Sequence, residues 1–195
     1  VTGEYPDDDS SIHPSEIDIV LTGDPRTIRV VPWAAEPTAQ VIHDCTYDDG
    51  RPVPMAPRYV LRRVLDLYAA KGWRPVVAPE LEFFLVEPNI DADYPLKPPI
   101  GRSGRAEIGR QAYSIAAVNE FDPLFDDIYA FCEAQNLDID TLIHEEGAAQ
   151  MEINLIHGDA LDLADQAFLF KRTAREAAIR HKMYATALER AGPAV

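Results

Sequence analysis

Pro79-Glu80-Leu81-Glu82-Phe83-Phe84 and His144-Glu145-Glu146-Gly147-Ala148-Ala149-Gln150-Met151-Glu152-Ile153-Asn154 are the stretches that decide how this chain is read. The first puts two carboxylates two residues apart inside an apolar run. Strand side chains alternate between faces, so Glu80 and Glu82 project together while Leu81 and Phe83 project oppositely. The second ends in the same pattern, with Gln150, Glu152 and Asn154 on one face and Met151, Ile153 and Leu155 on the other. Carboxylates set into strands are costly unless something positive meets them. Neither motif contains Lys or Arg, so converging acids point to a hard divalent cation with oxygen ligands, Mg²⁺ or Mn²⁺. The competing reading is an open sheet whose glutamates face solvent.

Composition sets the bounds around these stretches. The chain has 195 residues, 47% of them hydrophobic, enough for one sizeable core or a domain with part of another. Its 33 acidic and 18 basic residues leave a net charge of −15. That charge argues against nucleic-acid or anionic-membrane binding as the main activity. No apolar run approaches the ~20 residues a membrane helix needs, and no signal-peptide pattern opens the sequence, so the chain reads as cytoplasmic. Cys45 and Cys132 lie far apart without metal-ligand spacing and read as buried reduced thiols.

Working outward, Arg74 to Val86 reads as the strand carrying Glu80 and Glu82, and Leu137 to His144 as a strand entering the acidic turn. Gly147-Ala148-Ala149 lets backbone pass close to a neighbour. Three helices are expected. The first runs from Pro57 to Gly72 with Val60, Leu61, Val64, Leu65 and Tyr68 as its stripe. The second spans Asp122 to Gln135, with Leu124, Phe125, Ile128, Tyr129 and Cys132 apolar. The third spans Asp159 to Tyr184, with Ala164, Phe168, Lys171, Arg175 and Ala178 along it and Asp159 as its cap. Before them, Ile17–Leu21, Thr27–Val31 and Ala39–Asp44 read as strands of one small sheet, preceded by a solvated acidic run, Asp7-Asp8-Asp9. Residues 88–111 form a loop rich in Pro, Gly and charge, long enough to be functional or mobile. His13, His43, His157 and His181 have no carboxylate at ligand spacing. His144, beside the acidic turn, is either a ligand or a hydrogen-bonded support.

Paired glutamates on facing strands suit a glycosidase acid and base, a metal clamp for phosphoryl transfer, or a structural cation. A glycosidase needs stacking aromatics near its acids, yet Trp33 and Trp73 both lie outside the motifs. Gly101-Arg102-Ser103-Gly104-Arg105 lacks the Lys-Ser/Thr end of a Walker loop, so carboxylate-held metals must carry the phosphates of any bound nucleotide. No residue stands out as the catalytic acid, base or nucleophile.

The chain resembles the glutamine synthetase family, within it the γ-glutamylputrescine synthetase branch. The resemblance runs over roughly residues 17–186. It is carried by Pro32-Trp33, Ala56-Pro57-Arg58, Gly72-Trp73, Ala78-Pro79-Glu80-Leu81-Glu82-Phe83, Asp93-Tyr94-Pro95-Leu96 and Pro98-Pro99-Ile100-Gly101-Arg102-Ser103-Gly104-Arg105. It continues through Asn119-Glu120-Phe121-Asp122-Pro123-Leu124-Phe125, Asp140-Thr141-Leu142-Ile143-His144-Glu145, Gln150-Met151-Glu152-Ile153-Asn154 and His157-Gly158-Asp159-Ala160-Leu161.

What the resemblance implies is an α+β fold. Residues 1–50 would be the remnant of a β-grasp-like N-terminal domain. Residues 51–186 would form the first half of a catalytic domain, an antiparallel sheet with packed helices, and residues 187–195 a non-family tail. It implies an ATP-dependent ligase joining the γ-carboxylate of glutamate to a small amine, putrescine favoured, through γ-glutamyl phosphate. Glutamine synthetase with ammonia is the runner-up. Glu82, Glu145 and Glu152 would hold one Mg²⁺ or Mn²⁺, and Glu80 would serve the nucleotide-side metal. Tyr113 and Asp140 fall where the family contacts nucleotide. Arg102 and Arg105 share a loop with the putrescine branch, and full-length members are homo-oligomers.

Family members run to more than twice this length, and the resemblance stops at Thr186. The implied segments beyond it would hold the remaining metal ligands and the arginines that grip glutamate and phosphate. The chain alone is therefore expected to be inactive, a cation-binding or subunit-interaction remnant at most. The strands bearing Glu80 and Glu152 are expected to be open edges that favour association or aggregation.

Overall fold

The computed structural model describes residues 18–89, 91 and 94–186. His13, the acidic run Asp7-Asp8-Asp9, the start of the first expected strand, Asp93 and the tail from Ala187 lie outside the described residues. In chain order the elements are β1 (Val20–Gly23), a 3₁₀ turn (Pro25–Thr27), β2 (Arg29–Val30), β3 (Ala39–Gln40), β4 (His43–Thr46), α1 (Pro57–Ala69), β5 (Val76–Val77), β6 (Glu80–Val86), α2 (Ile115–Asn119), α3 (Asp122–Gln135), β7 (Ile139–His144), β8 (Gln150–Leu155), β9 (Gly158–Asp159), α4 (Ala160–Arg180) and β10 (Tyr184–Thr186). The described chain is α+β with antiparallel sheets, and it divides into two compact units, one of residues 18–28 and 41–74, the other of residues 29–40 and 75–186.

In the first unit β1 pairs with β4, Val20 opposite Thr46 and Gly23 opposite His43. The strand runs up to Asp24, which caps the 3₁₀ turn by accepting from the Arg26 N–H, so it ends later than Leu21. Arg58 of α1 donates to Asp24 and to Asp44, each at 2.7 Å. The Arg26 and Arg58 hydrogen bonds hold the buried Asp24 carboxyl far below the usual carboxylate range. The expected single small sheet is instead two separate ladders. Thr27 is drawn into the turn by its hydroxyl bond to the Asp24 carbonyl, leaving only Arg29–Val30 as strand. Ala39–Asp44 splits at Val41-Ile42, so that β4 pairs with β1 in this unit and β3 pairs with β2 in the second.

The second unit is built on a sheet of order β10-β6-β8-β7, antiparallel throughout. β6 therefore lies between β10 and β8, and β8 between β6 and β7. The expectation of an open edge is corrected for Glu152, whose strand β8 is paired on both sides, by β6 and β7. At Glu80 it stands: β10 pairs with β6 at Phe84–Val86, and the Glu80–Phe83 half has no strand on that side among the described residues. β10 itself arises after α4. That helix stops at Arg180, not Tyr184, and the chain reverses through Lys182 at φ 58°, laying Tyr184–Thr186 along β6. Ahead of β6 the expected long strand breaks at Ala78-Pro79, and β5 pairs with β9 instead.

α3 forms where expected, with Pro123 in its first turn and Asn136 closing it in the left-handed region. Asp159 caps α4 by accepting from the Leu161 and Asp162 N–H groups. Both helices bury a face that differs in part from the expected stripe. Phe131 replaces the exposed Tyr129 in α3. α4 buries Leu163, Leu169, Phe170, Thr173, Ala174 and Ala177 and leaves Phe168 in solvent. Of the expected stripe Ala178 is fully buried, while Ala164, Phe168, Lys171 and Arg175 are exposed, the two charges being unable to enter the core. Phe170 meets Phe83 of β6 with ring centroids 6.1 Å apart. Burial pushes the Cys132 thiol up to about 12, while Cys45 is only half-buried, and both are free. Among the described residues no helix is long and apolar enough to cross a membrane.

Candidate metal centre

Register decides which side chains meet. Along β6 and β8, Glu80 stands opposite Asn154, Glu82 opposite Glu152 and Phe84 opposite Gln150. Directly opposed residues share a face, so one face of the sheet carries Glu80, Glu82, Gln150, Glu152 and Asn154. The other carries Leu81, Phe83, Met151 and Ile153 toward the core. Across β8's second neighbour, Ile143 is paired with Glu152 and His144 with Met151. The Glu145 N–H donates to the Gln150 carbonyl at 2.8 Å, extending the β7–β8 ladder by one residue. Alternation then sets Glu145 on the side of Glu152 and Glu146 on the opposite side.

Glu152 is 8% exposed although it is a carboxylate, because it sits on an interior strand beside Ile143. Burial raises its pKa most, a hydrogen bond from Asn154 works against that, and the charges of Glu80, Glu145 and Glu82 raise it further. Glu80, Glu145 and Glu82 are thus each close enough to act on Glu152. Two amides brace them. Gln150 Nε2 donates to Glu82 Oε2 at 2.7 Å, and Asn154 Nδ2 donates to Glu152 Oε1 at 3.0 Å.

The turn from β7 to β8 is held tightly. A Cβ on Gly147 would lie 2.6 Å from the Phe84 ring and from Gln150 Oε1, so only glycine allows this approach. Ala149 is fully buried at φ 54°. His144, also fully buried, points Nδ1 at the Glu145 carbonyl oxygen, 2.6 Å away; a carbonyl only accepts, so Nδ1 carries the hydrogen. Its Nε2 is 2.9 Å from Glu107 Oε2, out of line for a regular hydrogen bond. His144 is therefore a support to the acidic turn. Glu107 was not legible in the sequence, since a single acid in a polar loop has no period to betray it.

The remaining singled-out residues stand apart. Tyr113 is exposed at φ 63°, tied to β7 by its N–H to the His144 carbonyl (2.8 Å). Asp140 is exposed at the irregularity in β7. The structure gives no contact joining the two. Arg102 pairs with Asp122 at 3.0 Å in the open, and Arg105 is exposed. His181, which has no carboxylate at ligand spacing in the sequence, meets Asp127 of α3 at 2.7 Å, a partner that tertiary packing supplies.

Among the described residues no three His, Cys, Asp or Glu side chains close into a ligand cage. Like charges push carboxylates apart, and here the amide bonds of Gln150 and Asn154 hold two of them. The donor set nevertheless suits a hard divalent cation: four carboxylates on neighbouring strands and the turn that joins two of them, one with its pKa raised by burial first and by the charges of the other three after it. An orphaned atom agrees with this. Asn154 Oδ1 is buried beside Glu152 without a hydrogen bond, an oxygen lone pair with no satisfied role.

An antiparallel sheet with helices behind it and an acid-rich face in front defines the class of α+β protein to which this chain is assigned. The chain belongs to the glutamine synthetase family, whose catalytic domain matches residues 54–193. It is 36% identical over 162 residues to γ-glutamylputrescine synthetase of Escherichia coli strain K12, covering 80% of this chain and 34% of that relative. It is 33% identical over 169 residues to a glutamine synthetase of Mycobacterium bovis, covering 85% and 36%. Among solved structures it is similar to one described as apo GmaS without ligand, with a TM-score of 0.75 and 28% identity, covering 90% of this chain and 39% of that one. The chain spans about a third of the length of the curated relatives it matches.

Proposed function

We propose that the acidic face of β6 and β8 holds a divalent cation, Mg²⁺ or Mn²⁺, for an ATP-dependent ligase that joins the γ-carboxylate of glutamate to an amine, putrescine favoured. The observation that carries this reading is the direct pairing of Glu82 with Glu152, with Glu80 and Glu145 near enough to raise the Glu152 pKa. Glu82, Glu145 and Glu152 would hold one cation and Glu80 would serve a second on the nucleotide side. When bound, such a cation supplies positive charge against phosphate and carboxylate oxygens. The chain's own residues do the positioning. Gln150 orients Glu82, Asn154 orients Glu152, and Gly147 lets the turn close against Phe84 so that Glu145 stays on the same side. Tyr113 and Asp140 are proposed to contact the nucleotide.

In the reaction so read, the terminal phosphoryl group of ATP passes to the glutamate carboxylate, leaving ADP and γ-glutamyl phosphate. The amine nitrogen then forms a bond to the acyl carbon, the C–O bond to phosphate breaks, and the nitrogen loses a proton. A cytoplasmic homo-oligomer goes with this reading. Putrescine is supported by the name and 36% identity of the E. coli relative, and ammonia by the 33% identity to a glutamine synthetase.

The chain's own share is tested by Mn²⁺ titration read by electron paramagnetic resonance. Saturable binding that Glu82→Ala weakens at least about tenfold supports the reading, and unsaturable binding contradicts it. Phosphate release with ATP, Mg²⁺, glutamate and either putrescine or ammonium then chooses the amine. Cation binding without release would assign this chain the cation-holding share alone.

A further inference from the structure

The loop between β6 and α2 inverts the usual order of polar and apolar residues. Ile108 is 75% exposed, whereas the side chain of its neighbour Glu107 is only 4% exposed. Apolar groups normally take the buried position and an isolated carboxylate is expensive to bury, so Glu107 is held inward by what it touches. Its Oε2 accepts from the Ala149 N–H and lies 2.9 Å from His144 Nε2. Those two residues bracket the turn that presents Glu145. His144 in turn binds the Glu145 carbonyl through Nδ1. The same loop grips the turn with its backbone, Arg110 N–H to the Glu146 carbonyl at 2.6 Å and Tyr113 N–H to the His144 carbonyl at 2.8 Å. Arg110, Tyr113 and Ala149 all sit at left-handed φ between 54° and 68°, a conformation that non-glycine residues adopt at a cost and keep only when their surroundings enforce it.

We propose that Glu107 is a positioning residue of the cation site: bound to the Ala149 amide and set against His144, it fixes the turn and so the place of Glu145 beside Glu152. This rests on the carboxylate reading above. Glu107 touches no cation itself; its part is to make Glu145 available at the right point. Removing it frees the Ala149 amide and leaves His144 without its counterpart, so the turn relaxes and Glu145 moves away from the other ligands. Residues that orient a metal ligand in this manner typically account for a 10- to 100-fold change in metal affinity.

The test uses the full chain with Mn²⁺ as the probe, comparing the wild type with Glu107→Ala, Glu107→Asp, Glu107→Gln and Glu145→Ala. Circular dichroism melts select the folded variants. Glu107→Gln keeps an acceptor for the Ala149 N–H at the same reach, and is expected to bind Mn²⁺ within about threefold of the wild type. Glu107→Ala is expected to weaken binding by about 10- to 100-fold, approaching Glu145→Ala. Should Glu107→Ala not fold, Glu107→Asp, which keeps the charge but is one methylene short, is expected to weaken binding in its place. Wild-type affinity in a folded Glu107→Ala or Glu107→Asp overturns the proposal while leaving the carboxylate reading intact, as does a loss in Glu107→Gln equal to that in Glu107→Ala. Absence of saturable Mn²⁺ binding in the wild type overturns the carboxylate reading and the proposal together.

Discussion

Glu82 and Glu152 are direct cross-strand partners on the adjacent strands β6 and β8, with their side chains on one face of the sheet. Like charges directly opposite one another destabilise an antiparallel pair, and here two more glutamates add to the repulsion. The amides of Gln150 and Asn154 each take one carboxylate, which limits the strain without neutralising it. The arrangement costs stability unless a cation enters.

Glu152→Gln keeps the shape and removes the charge most disfavoured by its surroundings. Because the folded-state pKa of Glu152 is raised, the folded state holds this proton more tightly than the unfolded state. Stability from this group is therefore fully present below the ordinary value of 4.5 and declines as pH rises toward the raised value. Without divalent cation, Glu152→Gln should melt above the wild type at neutral pH by roughly 3 °C, the size about 1 kcal/mol produces in a chain of this length. The gap should close on acidification. Added Mg²⁺ should raise the wild-type Tm and leave the variant unchanged. Equal Mg²⁺ shifts in both would remove Glu152 from the site.

Asp24 gives the opposite sign. Its folded-state pKa is depressed by Arg26 and Arg58, so its contribution is present above the ordinary 3.8 and is lost as pH falls from there toward the folded value. Asp24→Asn removes the charge from one of the two carboxylates that Arg58 meets, Asp44 remaining at 2.7 Å, and should cost about 1.5–3 kcal/mol, the worth of a hydrogen bond to a charged group, in urea unfolding at neutral pH. The penalty should shrink in the acid range as the wild type loses the same charge. A penalty independent of pH would assign Asp24 a packing role alone.

Gly147→Ala should destabilise by about 1–3 kcal/mol, the cost of forcing an extra carbon into a filled space. The new Cβ would meet the Phe84 ring and Gln150 Oε1 at 2.6 Å. Combining it with Phe84→Leu should recover part of the loss, since the ring is one of the two obstacles. An additive double variant would show that the turn, not the ring, sets the constraint.

The acidic face was legible in the sequence because period-two alternation fixes which residues share a side, and Glu82 and Glu152 each sit in such a run. α3 was legible from its first-turn Pro123 and its apolar spacing. β10 was not, because Tyr184–Thr186 is too short to alternate and follows a helical pattern without punctuation. β10 covers β6 at Phe84–Val86 alone, so the expected open edge is lost there and kept beside Glu80 and Glu82 among the described residues. The buried side of α4 was misread through Phe168, whose size suggested burial while Lys171 and Arg175 on the same stripe required water. α2 and Glu107 left no pattern at all: one is five residues long, the other a single acid whose partners lie on a distant turn.

The most direct test of the account is the position of a bound cation. Crystals of the chain soaked in Mn²⁺ and measured at a wavelength where manganese scatters anomalously should show a peak on the β6–β8 face, within about 2.0–2.3 Å of oxygens from Glu82, Glu145 and Glu152. A peak elsewhere, or none on this face with the three carboxylates left as far apart as before, would contradict the claim that these glutamates form one cation site.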